Sequence, residues 1–355
     1  MSADARKQAF EDLLTAQAAS RINPPLLLPA DPYFDLAGEE FGRRLLLTTG
    51  SDGAEYCLRP EFTLPIVADY IRNGTREPAS FAYHGPIFRQ RPDGPAEFTQ
   101  AGLELLAQRD ADLALDRVLA FARDALTVYE VAAPRIRLGS VALFESLLAQ
   151  LEMPDAWRPR IRHRFGHDEA MDRLLTRLEA APDVPRAEQP HRDALIEDIT
   201  EQMVAAGLSL TESRTPSEIA DRYLEQQALD AAHVSPQTLA LLRRILAISA
   251  PALEALSLVE AIAHSEGLDL RAPVASLKRH IDALPPEIEI VFEAGFSPRL
   301  DYYTGIVFEI QSAEGQVLAS GGQYDRLLER LGATAPIAAS GCALWIDRLE
   351  AEAAR

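Results

Sequence analysis

The sequence predicts an α+β fold: one largely antiparallel sheet, with a long helical segment interrupting it in the chain. Three observations predict this. Gln100, Gly102 and Glu104 alternate with Ala101, Leu103 and Leu105, which is the two-residue period of a strand. β-rich stretches near both ends flank a mostly helical stretch from ~110 to ~285, an order unlike the regular strand–helix alternation of a Rossmann fold. Leu45–Thr49 and Glu55–Leu58 flank Gly50-Ser51-Asp52-Gly53, a hairpin signal.

The elements follow in order. Residues ~5–20 read as a helix, with Ala9, Phe10, Leu13, Leu14 and Ala16 at helical spacing. Asn23-Pro24-Pro25-Leu26-Leu27-Leu28-Pro29 is apolar, and its prolines hold it extended. After the hairpin, residues 61–73 return to helix. Residues ~81–107 hold two strands around a Pro/Gly-rich loop from Arg91 to Pro95. Within the helical segment Arg135–Leu138 reads as a strand, and Ser140 as the N-cap of Val141–Leu148. Prolines 182, 185 and 190 mark a loop, and Leu239, Leu242, Ile245 and Leu246 form an apolar stripe. Such stripes are core, so no chemistry is assigned to them. Glu287–Phe292 and Gly305–Ile310 read as strands. Ala319 to Asp325 reads as a glycine turn entering a helix from about Asp325 to Leu331.

Composition narrows the classes. The chain has 355 residues, 47% of them hydrophobic, enough for one large domain or two modest ones. No apolar run reaches the ~18 residues of a membrane helix, and the N-terminus lacks a signal-peptide core. Cys57 and Cys342 lie far apart without ligand-spaced neighbours. No disulfide framework, metal site or cofactor is expected, and a cytoplasmic location fits. A net charge of −19 argues against a nucleic-acid partner, because phosphate contacts need clustered Lys and Arg.

The alternating strand also suggests a site. Its polar side carries an amide, a bare backbone position and a carboxylate. That set suits a small-molecule pocket in which Gly102 leaves room and Gln100 and Glu104 supply directional bonds. An ordinary solvated sheet face would show the same alternation.

Five further segments carry a resemblance. Leu58-Arg59-Pro60-Glu61-Phe62-Thr63, Phe88-Arg89, Gln100-Ala101-Gly102-Leu103-Glu104, Leu300-Asp301-Tyr302-Tyr303-Thr304-Gly305 and Gly321-Gly322-Gln323-Tyr324-Asp325 resemble the histidyl-tRNA synthetase family, in that family's order. The resemblance implies a class II aminoacyl-tRNA synthetase-like core over residues 1–355, with a mainly helical insertion at ~150–250. It implies a histidine-binding set of Glu61, Thr63, Gln100, Glu104, Tyr302 and Tyr303. Glu61, Thr63 and Gln100 would hold the α-amino side, and Glu104 with Tyr303 would read the imidazole. The chemistry agrees: an imidazole has two nitrogens for a carboxylate and a phenol, and an ammonium suits a carboxylate with neutral acceptors. Glu104 could instead be satisfied internally by Arg89 or Arg59, leaving the pocket a relic.

Departures from the family pattern bear on function. Seven residues follow Arg348, so no anticodon-binding domain is expected. Pro298 and Arg299 stand where the family has a catalytic Arg and a Gly. Proline cannot stabilise an oxyanion, and an arginine one residue out of place on a strand faces the other way. Trp345 replaces a glycine that lets the nucleotide lie on the backbone, and an indole of roughly 200 Å² would fill that space. Arg91 stands where the family has a Glu. Arg89 and Arg348, the phosphate-binding positions, remain and are read as vestigial, with no catalytic residue expected.

A histidine pocket beside a damaged nucleotide site resembles the regulatory subunits of ATP phosphoribosyltransferase, a non-catalytic paralogue family in histidine biosynthesis. Cys57–Thr63 and Phe88–Arg91 match that family's wording most closely. The resemblance implies a homodimer, paired through Leu26-Leu27-Leu28, within a hetero-octamer. The short-form catalytic subunit would be its partner, and L-histidine its ligand for feedback. A divergent synthetase-like enzyme using ATP, and a histidine-sensing scaffold for another partner, are the alternative readings.

Overall fold

The structure, a computed structural model, describes residues 1–36, 39–74, 76–92, 94–180, 191–209, 214–230, 233–298 and 302–354. It divides into two compact units, Met1–Leu147 with Ile245–Arg355, and Leu148–Arg244. Arg299, Leu300, Asp301 and the loop prolines 182, 185 and 190 lie outside the described residues.

In the first unit, α1 (Ala3–Ala16) starts at Ser2, whose hydroxyl accepts from the Ala5 amide. It ends four residues sooner than its apolar spacing suggests. Ala18 takes a left-handed φ of 49°, and Ser20–Arg21 become strand β1. β2 (Leu27–Pro29) follows, then the short helices α2 (Asp31–Leu36) and α3 (Glu39–Gly42). β3 (Leu47–Thr49) and β4 (Glu55–Leu58) form the expected hairpin, and Gly53 at φ 78° makes its turn. With β2 they make a small sheet in the order β2-β4-β3.

Helix α4 (Thr63–Arg72) leads to the long hairpin β5 (Ala79–Phe88) and β6 (Glu97–Leu106). α5 (Ala111–Val128) begins at Asp110, whose carboxylate accepts from the amides of Asp112 and Leu113 at 3.0 Å. β7 (Arg135–Ser140) ends at the predicted cap: Ser140 Oγ accepts from Leu143 N at 3.1 Å, at the start of α6 (Val141–Gln150).

The second unit is helical: α7 (Arg158–Arg162), α8 (Asp168–Glu179), α9 (Arg192–Ala205), α10 (Pro216–Asp230) and most of α11 (Pro236–Leu246). Arg243 joins α11 to α8 through Asp172 at 2.5 Å and Glu179 at 2.7 Å. Arg192 joins α9 to α10 through Asp221 at 2.6 Å.

The chain then adds β8 (Ser249–Pro251), a short strand that the helical reading of this region missed. It continues with α12 (Ala252–Ser265), α13 (Arg271–Asp282), β9 (Glu289–Glu293), β10 (Ile306–Gln311), β11 (Val317–Gln323), α14 (Asp325–Arg330), β12 (Ala339–Trp345) and α15 (Ile346–Ala353). The expected turn at Ala319–Gln323 is strand β11. Gly321 and Gly322 sit where a Cβ would overlap the neighbouring strands' backbone, so these glycines serve close packing and not a turn.

Nine strands form one sheet in the order β1-β5-β6-β12-β11-β10-β7-β9-β8. It is antiparallel except for β1 on β5 and β7 on β9. One face packs on α5: Ala101, Leu103, Leu105 and Cys342 are buried, and the Cys342 thiol reaches Val118 O on that helix at 3.9 Å. The other face carries the candidate site. No helix among the described residues is long and apolar enough to cross a membrane.

Candidate functional site

Strand register builds the floor of the site. Glu104 on β6 lies opposite Gly341 on β12, which lies opposite Gly322 on β11, then Val307 on β10 and Gly139 on β7. Residues opposite one another in an antiparallel pair share a face. One row therefore holds a carboxylate, three glycines and a valine. A Cβ at Gly341 would overlap the Glu104 carboxylate, so that bare position is where the carboxylate lies. The next row places Gly102 between Tyr83 on β5 and Ala343 on β12. The room above Gly102 is not left for a ligand. The Tyr83 ring fills it, with its hydroxyl donating to Cys342 O at 3.2 Å.

The polar side of β6 is thus enclosed, not solvated: Gln100 and Glu104 are 3% and 1% exposed. Thr63 Oγ1 donates to Glu104 Oε1 at 2.6 Å, and the Tyr324 hydroxyl makes a short bond to Oε2. Neither arginine considered as a partner is used. Arg59 donates to Asn23 Oδ1 at 2.9 Å and to the carbonyls of Pro24 and Pro86, while Arg89 Nη1 faces Pro60 O at 3.5 Å. Burial pushes the Glu104 carboxyl up to about 8; the hydroxyls of Thr63 and Tyr324 oppose the rise and the charge of Glu61 adds to it.

Of the three residues expected on the α-amino side, Thr63 and Glu61 lie beside this carboxylate, and Gln100 lies two register rows along the same face. Glu61 accepts from Leu64 N with both oxygens, at 3.0 and 3.1 Å, and so caps α4. Burial raises its carboxyl to about 7, against the pull of the Leu64 and Thr63 amides and of Arg89. Thr63 spends its hydroxyl proton on Glu104. Gln100 keeps Oε1 buried without a hydrogen-bond partner, an acceptor that a donor-bearing ligand would satisfy.

Tyr302 and Tyr303 are both buried and pack at a centroid distance of 5.2 Å. The third ring of the group is Tyr324, 5.9 Å from Tyr302 and 6.5 Å from Tyr303. Tyr303 hydrogen-bonds Ser320, and burial with the nearby Glu104 raises its phenol. Tyr324 and Tyr83 are the residues that sequence reasoning missed. Tyr324 lies inside the Gly321–Asp325 motif, and the turn reading of that motif hid its inward side chain. Tyr83 carries no motif signal and is visible only through its register with Gly102.

The side of Arg89 and Arg348 differs in character. Arg89 lies between Phe41 and Phe98, 5.3 and 5.5 Å from their ring centroids. Burial lowers its guanidinium to about 10, although Glu61 opposes this. Arg348 Nη1 donates to Val317 O at 2.7 Å. Trp345 lies opposite Gln100, on the face of the site, and packs against the cluster of Phe62, Ile66, Tyr83, Ile87 and Phe98. Arg91 crosses above Phe98 at 4.2 Å and pairs with Asp347 at 2.6 Å. Among the described residues no cluster of His, Cys, Asp or Glu is placed to hold a metal ion.

The arrangement suits a ligand that is cationic and rich in hydrogen-bond donors, because the sheet face offers two buried carboxyl groups, at Glu61 and Glu104, and the unpartnered amide oxygen of Gln100. The fold and this face together define a class II, histidyl-tRNA synthetase-like protein. A family profile described as histidyl-tRNA synthetase matches residues 3–192 and 205–349. The ATP phosphoribosyltransferase regulatory subunit of Brucella canis is 38% identical over 361 aligned residues, covering 95% of this chain and 94% of that protein. Two solved structures share the fold. One is an ATP phosphoribosyltransferase regulatory subunit/histidyl-tRNA synthetase from Bacillus halodurans, 19% identical, with a TM-score of 0.66 over 99% of this chain and 79% of that one. The other is an ATP phosphoribosyl transferase (HisG:HisZ) complex from Thermotoga maritima, 14% identical, with a TM-score of 0.54 over 97% of each chain. The chain belongs to the histidyl-tRNA synthetase-like family and, within it, to the ATP phosphoribosyltransferase regulatory subunits.

Proposed function

We propose that this chain is the non-catalytic regulatory subunit of an ATP phosphoribosyltransferase, activating a short-form catalytic subunit in histidine biosynthesis. L-Histidine is held at Glu104 as a feedback signal, and it acts by binding the states of the complex unequally. Glu61, Thr63 and Gln100 take the α-amino side, and Tyr302, Tyr303 and Tyr324 line the imidazole side. Residues 148–244 are a helical insertion in a synthetase-like core.

One contrast carries this reading. The ligand side keeps buried carboxylates, hydroxyls and an unpartnered amide oxygen. On the nucleotide side Trp345 packs over the face and Arg91 is tied to Asp347. Family membership supplies the partner: the relatives carry the name of a regulatory subunit. A homodimer forms through the small sheet, where Leu26, Leu27 and Leu47 are each about half exposed. Within a hetero-octamer this dimer recruits the catalytic subunits.

Size-exclusion chromatography with light scattering tests the assembly. A dimer alone, and a larger complex with a short-form catalytic subunit, are expected. A monodisperse monomer at micromolar concentration that ignores the catalytic subunit contradicts it. The alternative reading is amino-acid activation with ATP, in which Arg89 and Arg348 would hold the phosphates. Histidine-dependent pyrophosphate exchange by the pure chain would establish that reading and overturn the first.

A further inference from the structure

A second polar cluster lies on the same sheet face, away from Glu104. One register row runs Arg137 on β7, Glu309 on β10, Ser320 on β11, Ala343 on β12, Gly102 on β6 and Tyr83 on β5. Arg137 stands at one end of this row. Its guanidinium lies 3.9 Å from the centroid of Phe296. Nη2 meets Glu293 at 2.5 Å and Nη1 meets Glu309 at 3.6 Å, while Nε is buried without a partner.

Phe296 is held from a second side as well. Its carbonyl presses on the bare backbone of Gly139, two residues beyond Arg137, where a Cβ would overlap it. Its amide donates to Glu293 O at 3.1 Å. Arg137 therefore ties the segment after β9 to both β9 and β10. Along the row, Glu309 stands opposite Ser320, and Ser320 is the hydrogen-bond partner of Tyr303.

We infer that Arg137 is a positioning residue for Tyr303: stacked on Phe296 and bridging Glu293 to Glu309, it sets the phenol that reads the imidazole of bound histidine. The inference rests on the proposal that L-histidine occupies the Glu104 site. Arg137 touches no ligand in this account. It acts through Glu309 and Ser320, while the Phe296 ring holds its guanidinium in place. Positioning groups of this kind shift a binding equilibrium without contacting the ligand.

Calorimetry on the full chain tests it, with L-histidine and its two ring-N-methylated forms as ligands. The wild type binds L-histidine and rejects both methylated forms, because both ring nitrogens are read. Arg137→Met loses about tenfold in L-histidine affinity and loses most of the discrimination against methylation. Arg137→Lys keeps a charge for Glu293 and recovers part of both. Phe296→Leu removes the platform while keeping the charges, and reproduces the loss as an independent arm. A variant melting temperature that falls while affinity and methyl discrimination stay at wild-type values would show a purely structural residue and overturn the inference. Failure of the underlying proposal looks different: the wild type itself would bind no L-histidine.

Discussion

The hydroxyl of Tyr324 bonds Oε2 of Glu104 across 220 positions of sequence, while Thr63 Oγ1 takes Oε1 at 2.6 Å. The buried carboxylate thus rests on neutral donors and not on an arginine. Burial holds this carboxyl protonated up to about 8, and a cationic ligand draws it into its charged form. Glu104→Gln keeps the shape and removes that charge. It should weaken L-histidine binding by roughly 1–3 kcal/mol, the scale of a charge-assisted hydrogen bond. Calorimetry on the pure chain checks this. Equal binding by wild type and variant would place the sensor elsewhere.

The same carboxyl makes stability depend on pH. Glu104 keeps its proton up to about 8 in the fold and Glu61 up to about 7, whereas an unfolded glutamate loses it near ~4.3. The folded state therefore binds more protons between these limits, so stability falls as pH rises through the window. The melting temperature of ligand-free wild type should fall, relative to Glu104→Gln, between pH 5 and 9. A cationic ligand selects the ionised carboxylates, so histidine binding near neutrality should release about one proton. Calorimetry in two buffers of different ionisation enthalpy measures that release, and parallel melting curves would refute the assignment.

Arg59 is fully buried, stacks 4.1 Å from the Phe62 ring centroid and holds Asn23, Pro24 and Pro86 together. It joins the segment Asn23–Pro24 to β5. Arg59→Met would leave several buried acceptors unpartnered. A loss of about 3 kcal/mol or more is expected in chemical denaturation. A loss below about 1 kcal/mol would show that water reaches these carbonyls.

Much of the fold is legible where local pattern and tertiary role agree. The alternation at Gln100–Leu105, the Gly50–Gly53 hairpin and the Ser140 cap all appear as expected because each is set by near neighbours. The misses have tertiary causes. β11 is glycine-rich because neighbouring strands approach it closely, which a single sequence cannot separate from a turn. β8 is three residues long and depends on β9 for its pairing. In the site, Glu61, Thr63, Gln100 and Glu104 could be named from motifs. Tyr324, the partner of Glu104, stands inside a motif that reads as a turn, and Tyr83 follows only from its register with Gly102. Nor could the sequence show that Arg91 pairs with Asp347, 256 positions away.

The most direct test of the central claim is the rate of a purified short-form ATP phosphoribosyltransferase catalytic subunit, measured with and without this chain. The account predicts a higher rate on addition of the chain, lowered again by L-histidine in wild type and less so in Glu104→Gln. No change of rate at saturating chain, with the catalytic subunit itself active, would contradict it.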